Sequence, residues 1–370
     1  MSKNYNKNAK LSDLYKFQYG TGNTIENIGG DFPIYGSNGT VGFTNIYNSE
    51  DAPVIGHIGA YAGIVNWASG KHFVTYNGVI CRIKSGNNPR FGYYTLQVSN
   101  LQKRLRGSTQ PFVSYDLLDD VKIFLPEKIK QDKIASVLSD LDAKIELNTK
   151  INAELEAMAK TLYDYWFVQF DFPDENGKPY KSSGGEMVWS DELKREIPKG
   201  WEVKKISDLL PVVTGKKDAN FATEYGEYNF FTCGEDVLKC NTYEFEGKAV
   251  LVAGNGNFGI KLYEGKFNAY QRTYILIPDD EKHYTVVYLA VKDKVQSLKN
   301  SSRGSIIKFI TKGDIEDIQI PLPENESLDV FSSLNVITEK IEKNILENQK
   351  IAELRDWVLP MLMNGQVVVE

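Results

Sequence analysis

Residues 127–165 read EKIKQDKIASVLSDLDAKIELNTKINAELEAMAKTLYDY, without a Gly or a Pro. Ile134, Leu138, Leu141, Ile145, Leu155 and Leu162 recur at alternating spacings of four and three, and Asn148, Asn152 and Ala159 fill the intervening positions of the same frame. This is the a/d stripe of a long coiled-coil helix. From 134 to 162 it spans about 43 Å at 1.5 Å per residue. Such a stripe cannot be buried by its own helix. A second one follows near the other end of the chain: Leu334, Ile341, Ile345, Ala352, Leu359 and Leu362, with Thr338, Asn348 and Arg355 as polar members. The two helices are expected to pack against each other, with Asn148 and Asn348 helping to set register.

Outward from the helices, the chain repeats itself. Ser12-Asp13-Leu14 recurs as Ser207-Asp208-Leu209, Thr21-Gly22 as Thr214-Gly215, and Gly107-Ser108 as Gly304-Ser305. Asp120-Val121-x-Ile123-x-Leu125-Pro126 recurs as Asp317-Ile318-x-Ile320-x-Leu322-Pro323, and Asn148-x-Lys150-Ile151 as Asn348-x-Lys350-Ile351. The offsets drift from 193 to 200 in order along the chain, which describes two homologous units with small loop insertions. Before each helix lie glycine-punctuated, β-rich runs: PVIGHIGAYAGIVNW and HFVTYNGVICRI in the first half, KAVLVAGNGNFGIKLY and YQRTYILIP in the second. Their irregular alternation predicts mixed, twisted sheets with long loops. A Gly/Pro/Ser-rich connector over 171–200 is long enough for parallel or antiparallel helices, so chain geometry leaves their direction open.

With 370 residues, 42% hydrophobic and 25% charged, the chain is in the globular range and large enough for more than one core. The net charge of −6 argues against a uniformly basic molecule but not against local basic patches. Cys81, Cys233 and Cys240 fit neither a disulfide framework nor a zinc site, and are expected to be reduced. The polar N-terminus leads into no apolar signal segment, and no apolar run is long enough for a membrane span.

The usual catalytic signatures are missing. No Gly-Lys pair is followed by Ser or Thr as in a P-loop, and there is no Asn/Asp-Pro-Pro-Tyr/Phe run to grip a base amine. His57, His72 and His283 are isolated; for His57 a structural hydrogen bond is the expected role. Pro173-Asp174 with Glu192-x-Lys194 loosely matches a metal-nuclease pattern, but it lies in the connector. The positive signal is a basic stretch ahead of each Gly-Ser motif. Lys103, Arg104 and Arg106 are the only charges from 96 to 115, beside Ser108 and Gln110. Lys292, Lys294, Lys299, Arg303, Lys308 and Lys312 face Asp293 alone from 292 to 312. Cations mixed with hydroxyl and amide groups suit phosphates and base edges.

Several linked segments carry a family likeness: Leu155-Glu156 through Leu162, Trp166-Phe167 and Phe170-Asp171-Phe172-Pro173; Ile197-Pro198-x-Gly200-Trp201 leading to Ser207-Asp208-Leu209; Ile320-Pro321-Leu322-Pro323; Leu359-Pro360-x-Leu362; and Gly107-Ser108-x-Gln110. Together, and over nearly the whole chain, they resemble the specificity subunit of a type I restriction-modification enzyme. The counterpart of the last motif, Gly304-Ser305-Ile306-Ile307-Lys308, has no Gln. The resemblance implies an α+β fold: two mixed α/β target-recognition domains separated by two long helices that form an antiparallel coiled coil, with an internal pseudo-twofold repeat. The implied boundaries are 1–126 and 198–323 for the recognition domains, 127–170 and 324–370 for the helical regions, and 171–197 for the linker.

It further implies a cytoplasmic, non-catalytic subunit that binds a bipartite target in double-stranded DNA, with the helices as spacer. Its partners would be two methyltransferase subunits and the restriction/translocase subunits, with no membrane association. S-adenosylmethionine, ATP and Mg2+ would act on those partners, and this chain would bind no cofactor or metal. The DNA-binding candidates are Lys103, Arg104, Arg106, Ser108, Gln110, Lys299, Arg303, Ser305 and Lys308. Trp166, Phe167 and Trp357 lie outside the stripes as drawn and are the partner-interface candidates. Two other readings stand beside this one. A non-catalytic protein- or glycan-binding adaptor on a coiled-coil spacer would use Tyr61, Trp67, Phe258 and Tyr263, and a self-contained nuclease would use the connector motif.

Overall fold

The computed structural model describes residues 5–6, 9–22, 29–107, 110–301, 309–324, 330–367 and 369. The chain divides into two units, Met1–Leu147 with Asn348–Glu370, and Asn148–Glu347. In the first, strands β1 (Tyr15–Tyr19), β2 (Phe32–Gly36), β3 (Gly39–Thr44), β4 (Ser49–Gly56), β5 (Val65–Val74) and β6 (Gly78–Ile83) form a six-stranded sheet in the order β1-β6-β4-β5-β2-β3. Every pair is antiparallel except β2 with β5, where Ile34 lies opposite Phe73 in parallel register. The pleat sends Val54 and Ile80 into a small cluster on one face, and Ile55, Val79 and Cys81 into the main core on the other. Both faces are covered, which is why these strands read as nearly continuous apolar runs. Helix α1 (Pro89–Val98) closes the main core with Phe91, Tyr94 and Leu96. It starts where the Asn88 side chain accepts the amides of Arg90 and Phe91, with Pro89 in the first turn, where its missing N–H costs nothing. The chain then enters α2 (Lys128–Tyr163), whose residues up to Leu147 belong to this unit.

The second unit repeats the plan. Strands β7 (Val212–Thr214), β8 (Tyr228–Phe231), β9 (Val237–Cys240), β10 (Phe245–Ala253), β11 (Ile260–Ala269) and β12 (Thr273–Leu276) are ordered β7-β12-β10-β11-β8-β9. Again one pair is parallel, β8 with β11, placing Phe230 opposite Asn268. The permutation and the parallel pair match those of the first sheet, so the repeated motifs mark a repeated fold. Val250, Val252 and Leu276 face the main core, whereas Ala249, Leu251 and Ile275 face the smaller one. Helices α3 (Tyr284–Ser301) and α4 (Val330–Met363) complete the set.

The recurring motifs have local causes. The Asp13 carboxylate accepts the Lys10 amide at 2.8 Å and so starts the short helix Leu11–Leu14; Asp208 does the same for Lys205 and Ile206–Leu209. The same two lysines reach the aspartates of the second repeated motif, Lys10 to Asp120 at 2.9 Å and Lys205 to Asp317 at 2.6 Å.

Inside each unit, the long helices run antiparallel. In the first, Arg355 bonds Asp142 at 2.9 Å, while Asn348, earlier in α4, donates to the carbonyl of Ile145, later in α2. In the second, Asn148 donates to Glu347 at 2.7 Å, and Asn152 pairs with Asn344 at 2.8 Å and with the Ile341 carbonyl. These bonds settle the direction that chain length left open. They also correct the second stripe. Ile345, expected inside, is 37% exposed, and Asn344 is buried in its place because it is paired with Asn152. The 171–197 stretch is folded onto the second unit: Phe172 stacks on Tyr180 and Trp201, and Met187–Ser190 pairs with Arg195–Pro198. Among the described residues, no helix is long and apolar enough to cross a membrane.

Candidate nucleic-acid interface

In the first unit the basic stretch follows α1. Asn100, in the left-handed region at φ 48°, turns the chain into a short 3-10 helix, Leu101–Arg104, in which Leu101 is buried and Lys103 and Arg104 are exposed. Buried Leu101 fixes the turn while both cations stay in solvent. Lys103 also lines a groove of about 400 Å³ with Gln97, Asn100 and Arg355. Arg106 then pairs with Phe112 through two backbone hydrogen bonds, closing a loop that holds Gly107 and Gln110. Gly107 sits at φ +89°, and a Cβ there would come within 2.6 Å of the Gln110 carbonyl oxygen, so the turn requires glycine. Exposed Arg106 also lies 3.5 Å from the exposed Asp116, a screened pair that leaves its charge available to solvent. Gln110 is exposed; Ser108 is outside the described residues.

The loop is tied to the end of β4. The Val113 amide donates to the His57 carbonyl and the Gly59 amide to the Pro111 carbonyl, each at 2.9 Å. His57 is buried. Its Nδ1 lies 2.9 Å from the Tyr76 carbonyl, which makes that nitrogen the donor, and its ring stacks on Tyr19. Tyr19 in turn stacks on Tyr115 at 4.1 Å, and the Tyr115 hydroxyl accepts the Tyr19 amide. Burial raises the Tyr19 phenol above its ordinary value, with Tyr115 and Tyr76 adding to the shift. His57 therefore anchors a three-ring stack, with the Tyr76 ring set edge-on against it, beneath the basic loop, in agreement with the structural hydrogen-bonding role expected from sequence.

In the second unit the corresponding tie is the Ile310 amide donating to the Gly254 carbonyl at 2.8 Å. Val113 and Ile310 are 197 apart, and so are His57 and Gly254, so this bond makes Gly254 the structural counterpart of His57. Among the described residues the aromatic stack has no equivalent here; instead the Tyr274 hydroxyl donates to the Ile310 carbonyl. Lys299 is exposed near the end of α3. Arg303, Ser305 and Lys308 lie outside the described residues. Two flanking cations are engaged: Lys292 bonds Glu156 at 2.7 Å, and Lys312 pairs with Glu316 at 3.0 Å. Of the described cations in this stretch, Lys292 and Lys312 therefore offer less available charge than the composition suggests.

The partner-interface candidates separate. Trp166 and Phe167 are 9% and 1% exposed and belong to the second unit's core, with Phe170, Phe172 and Trp201. Their burial among these aromatics corrects their place among the partner-interface candidates. A π-helical turn, Asp164–Val168, follows α2; Trp166 continues the stripe of α2, and the extra residue in the turn brings Phe167 inward beside it. Trp357 is 61% exposed on α4, beside exposed Leu354. The aromatics of the adaptor reading also disperse: Tyr61 is exposed, Phe258 is buried, Trp67 lies under Arg90, and Tyr263 packs on Phe231 and Phe267. In the nuclease-like motif, Asp174 accepts the amides of Asn176 and Lys178 in a turn, and Glu192 accepts the Ser190 hydroxyl. Among the described residues, no group of three or more His, Cys, Asp or Glu is placed to hold a metal ion.

Comparison with known proteins places this geometry. The family model described as "Type I restriction modification DNA specificity domain" matches twice, over residues 4–157 and 198–354. The chain is 38% identical over 180 residues to the EcoDI specificity subunit of Escherichia coli, covering 47% of this chain and 40% of that one. It is 29% identical over 316 residues to the MjaIX specificity subunit of Methanocaldococcus jannaschii, covering 78% and 71%. The crystal structure of a type I restriction-modification system S subunit from M. genitalium superposes over 98% of this chain and 97% of that one, with a TM-score of 0.63 at 17% identity. The fold is thus shared, and with both halves matched by one family model, the chain belongs to the family of type I restriction-modification DNA specificity subunits.

Proposed function

We propose that the chain binds a bipartite target in duplex DNA, one part per unit, and carries no catalytic group of its own. The observation that carries this reading is the duplicated tie between the segment after each basic stretch and the end of a central strand, Val113 to His57 and Ile310 to Gly254. It fixes the chain just after each basic stretch at the same place on each sheet; in the first unit, exposed Lys103, Arg104 and Arg106 can there meet phosphate and neighbouring side chains can meet base edges. In this reading 1–126 and 198–323 are the recognition domains, 127–170 and 324–370 the helical regions that space them, and 171–197 the linker. Two methyltransferase subunits and the restriction/translocase subunits dock on the chain in the cytoplasm, and S-adenosylmethionine, ATP and Mg2+ act on those partners. Sequencing the methylated bases of a host with and without this gene, in the presence of the partner genes, tests the proposal. A split motif that appears only with the gene is expected; an unchanged set of methylated motifs would overturn it.

A further inference from the structure

Beside each basic stretch stands a phenylalanine that the fold holds in solvent. Phe112 is 36% exposed and Phe309 is 63% exposed, and the two are 197 residues apart, the offset of the flanking motifs. Single exposed apolar residues are ordinary. These two differ in being duplicated and in how their backbones are held. Phe112 bridges Arg106 on one side and Ile58 on the other, and the next residue, buried Val113, donates to His57. Phe309 precedes buried Ile310, whose amide and carbonyl are both bonded, to Gly254 and to the Tyr274 hydroxyl. Neither ring belongs to a core cluster. A fixed backbone lowers the entropy lost when the ring meets a ligand, and the neighbouring charges, Lys103, Arg104 and Arg106, favour a polyanion over an apolar protein face.

The geometry points to Phe112 and Phe309 as specificity contacts, each placing its ring against the apolar surface of a base in duplex DNA while the adjacent cations hold phosphate. This assignment rests on the DNA-reading function proposed above. An aromatic ring offers a base two contacts that phosphate-binding cations cannot: packing on a thymine methyl in the major groove, or stacking at a partly opened step. Both read sequence without adding charge, so they predict a loss of discrimination with an unchanged salt dependence.

The test uses the full chain with its partner subunits in a host, and Phe112→Ala, Phe309→Ala and the matching Leu variants. Wild type is mapped first; no split motif at that stage defeats the proposed function before any variant is made. Given a motif, each Ala variant is expected to relax one position of one half-site by roughly tenfold, Phe112 and Phe309 acting on different halves. Affinity for a scrambled duplex and its salt slope stay unchanged. On the mapped duplex, thymine-to-deoxyuridine substitution that weakens wild type but not the Ala variant identifies a methyl contact, which Leu should partly restore. A 2-aminopurine signal that rises on wild-type binding but not with Ala identifies stacking. Unaltered motifs and discrimination would overturn the assignment. So would an equal loss of specific and scrambled binding together with a lowered melting temperature in the Ala and Leu variants alike, because the rings would then be structural.

Discussion

In the first unit, Tyr94 of α1 donates its hydroxyl to Asp142 of α2 at 2.6 Å, and Arg355 of α4 bonds the other carboxylate oxygen at 2.9 Å. In the second, Tyr284 of α3 donates to Glu342 of α4 at 2.6 Å, but the nearest ammonium, Lys248, stands 3.9 Å away and is shared with Glu339. Both units use a buried phenol to hold a carboxylate on a long helix. They differ in how the charge is neutralised. Asp142 has a close guanidinium, and both side chains keep more than a quarter of their surface in water; Glu342 is more deeply buried and less well paired. Burial consequently pushes the Glu342 carboxyl up from its ordinary value, with the Tyr284 bond and Lys248 opposing the shift and Glu264 and Glu339 adding to it. One device in two settings thus leaves one carboxylate closely paired and makes the other, Glu342, sensitive to proton concentration.

The largest test concerns where the long helices end. In the second unit the end of α2 is sealed by Phe167 among Phe170, Trp201 and Phe331; in the first, the end of α4 is sealed by Leu362 and Met363, with Gly365 close against the Phe124 ring. Phe167→Ala should cost about 3–5 kcal/mol and Met363→Ala about 2–3 kcal/mol, read by denaturant unfolding. A larger effect at Met363 would reverse the comparison. Next come the phenols. Tyr284→Phe should cost about 2 kcal/mol, because Glu342 loses its best partner, and Tyr94→Phe about 1 kcal/mol, because Asp142 keeps Arg355. Equal losses would show that the second carboxylate is better neutralised than its distances indicate.

The pH test is smaller. A carboxyl raised in the folded state binds its proton more tightly than in the unfolded chain, so this contribution is complete below about pH 4.5 and is lost as pH rises through the raised value. Asp171 has the opposite sign: the Ser182 hydroxyl and amide lower it, so its contribution is present above about pH 3.8 and lost as pH falls. Glu342→Gln should flatten the decline in stability from pH 4.5 upward while leaving the acid limb intact. A decline unchanged in the variant would remove Glu342 as its source. Smallest for stability are the exposed residues. Lys103→Ala with Arg104→Ala, and separately Trp357→Ala, should each stay within about 0.5 kcal/mol of wild type. The first pair should lower the salt slope of DNA binding by roughly one unit per lost contact. Trp357→Ala should reduce methyltransferase recovery in pull-downs, and early melting with normal recovery would make it a structural residue instead.

The repeat and the helices were legible because their causes are local. Asp13 and Asp208 had to recur where each short helix starts, and the first stripe, without Gly or Pro, admits little but a helix, while the second carries Pro360 only in its last turn. Trp166 was within reach, since one further step of four beyond Leu162 lands on it; Phe167 was not, because a π turn breaks the period from which it would be read. Ile345 failed for a similar reason. A stripe drawn from apolar residues passes over Asn344, whose burial depends on a partner 192 positions away. His57 and Gly254 share the offset of 197, but their tie to Val113 and Ile310 is made of backbone hydrogen bonds, and a histidine opposite a glycine carries no side-chain signal of it. Lys292 and Lys312 looked available until Glu156 and Glu316 were seen beside them.

Ribosomal order gives the division of the chain a temporal meaning. The second unit is continuous, Asn148–Glu347, whereas the first needs Asn348–Glu370 to cover Ile134 and Leu138 with Leu362 and Met363. At about 5–20 residues per second, the 200 residues of Asn148–Glu347 take roughly 10–40 s to synthesise. During that interval the half begun first waits with an apolar strip uncovered, while the half begun second has all its parts. A nascent chain arrested before residue 348 should accordingly expose the first turns of α2 to chaperones, and synthesis through Met363 should release it.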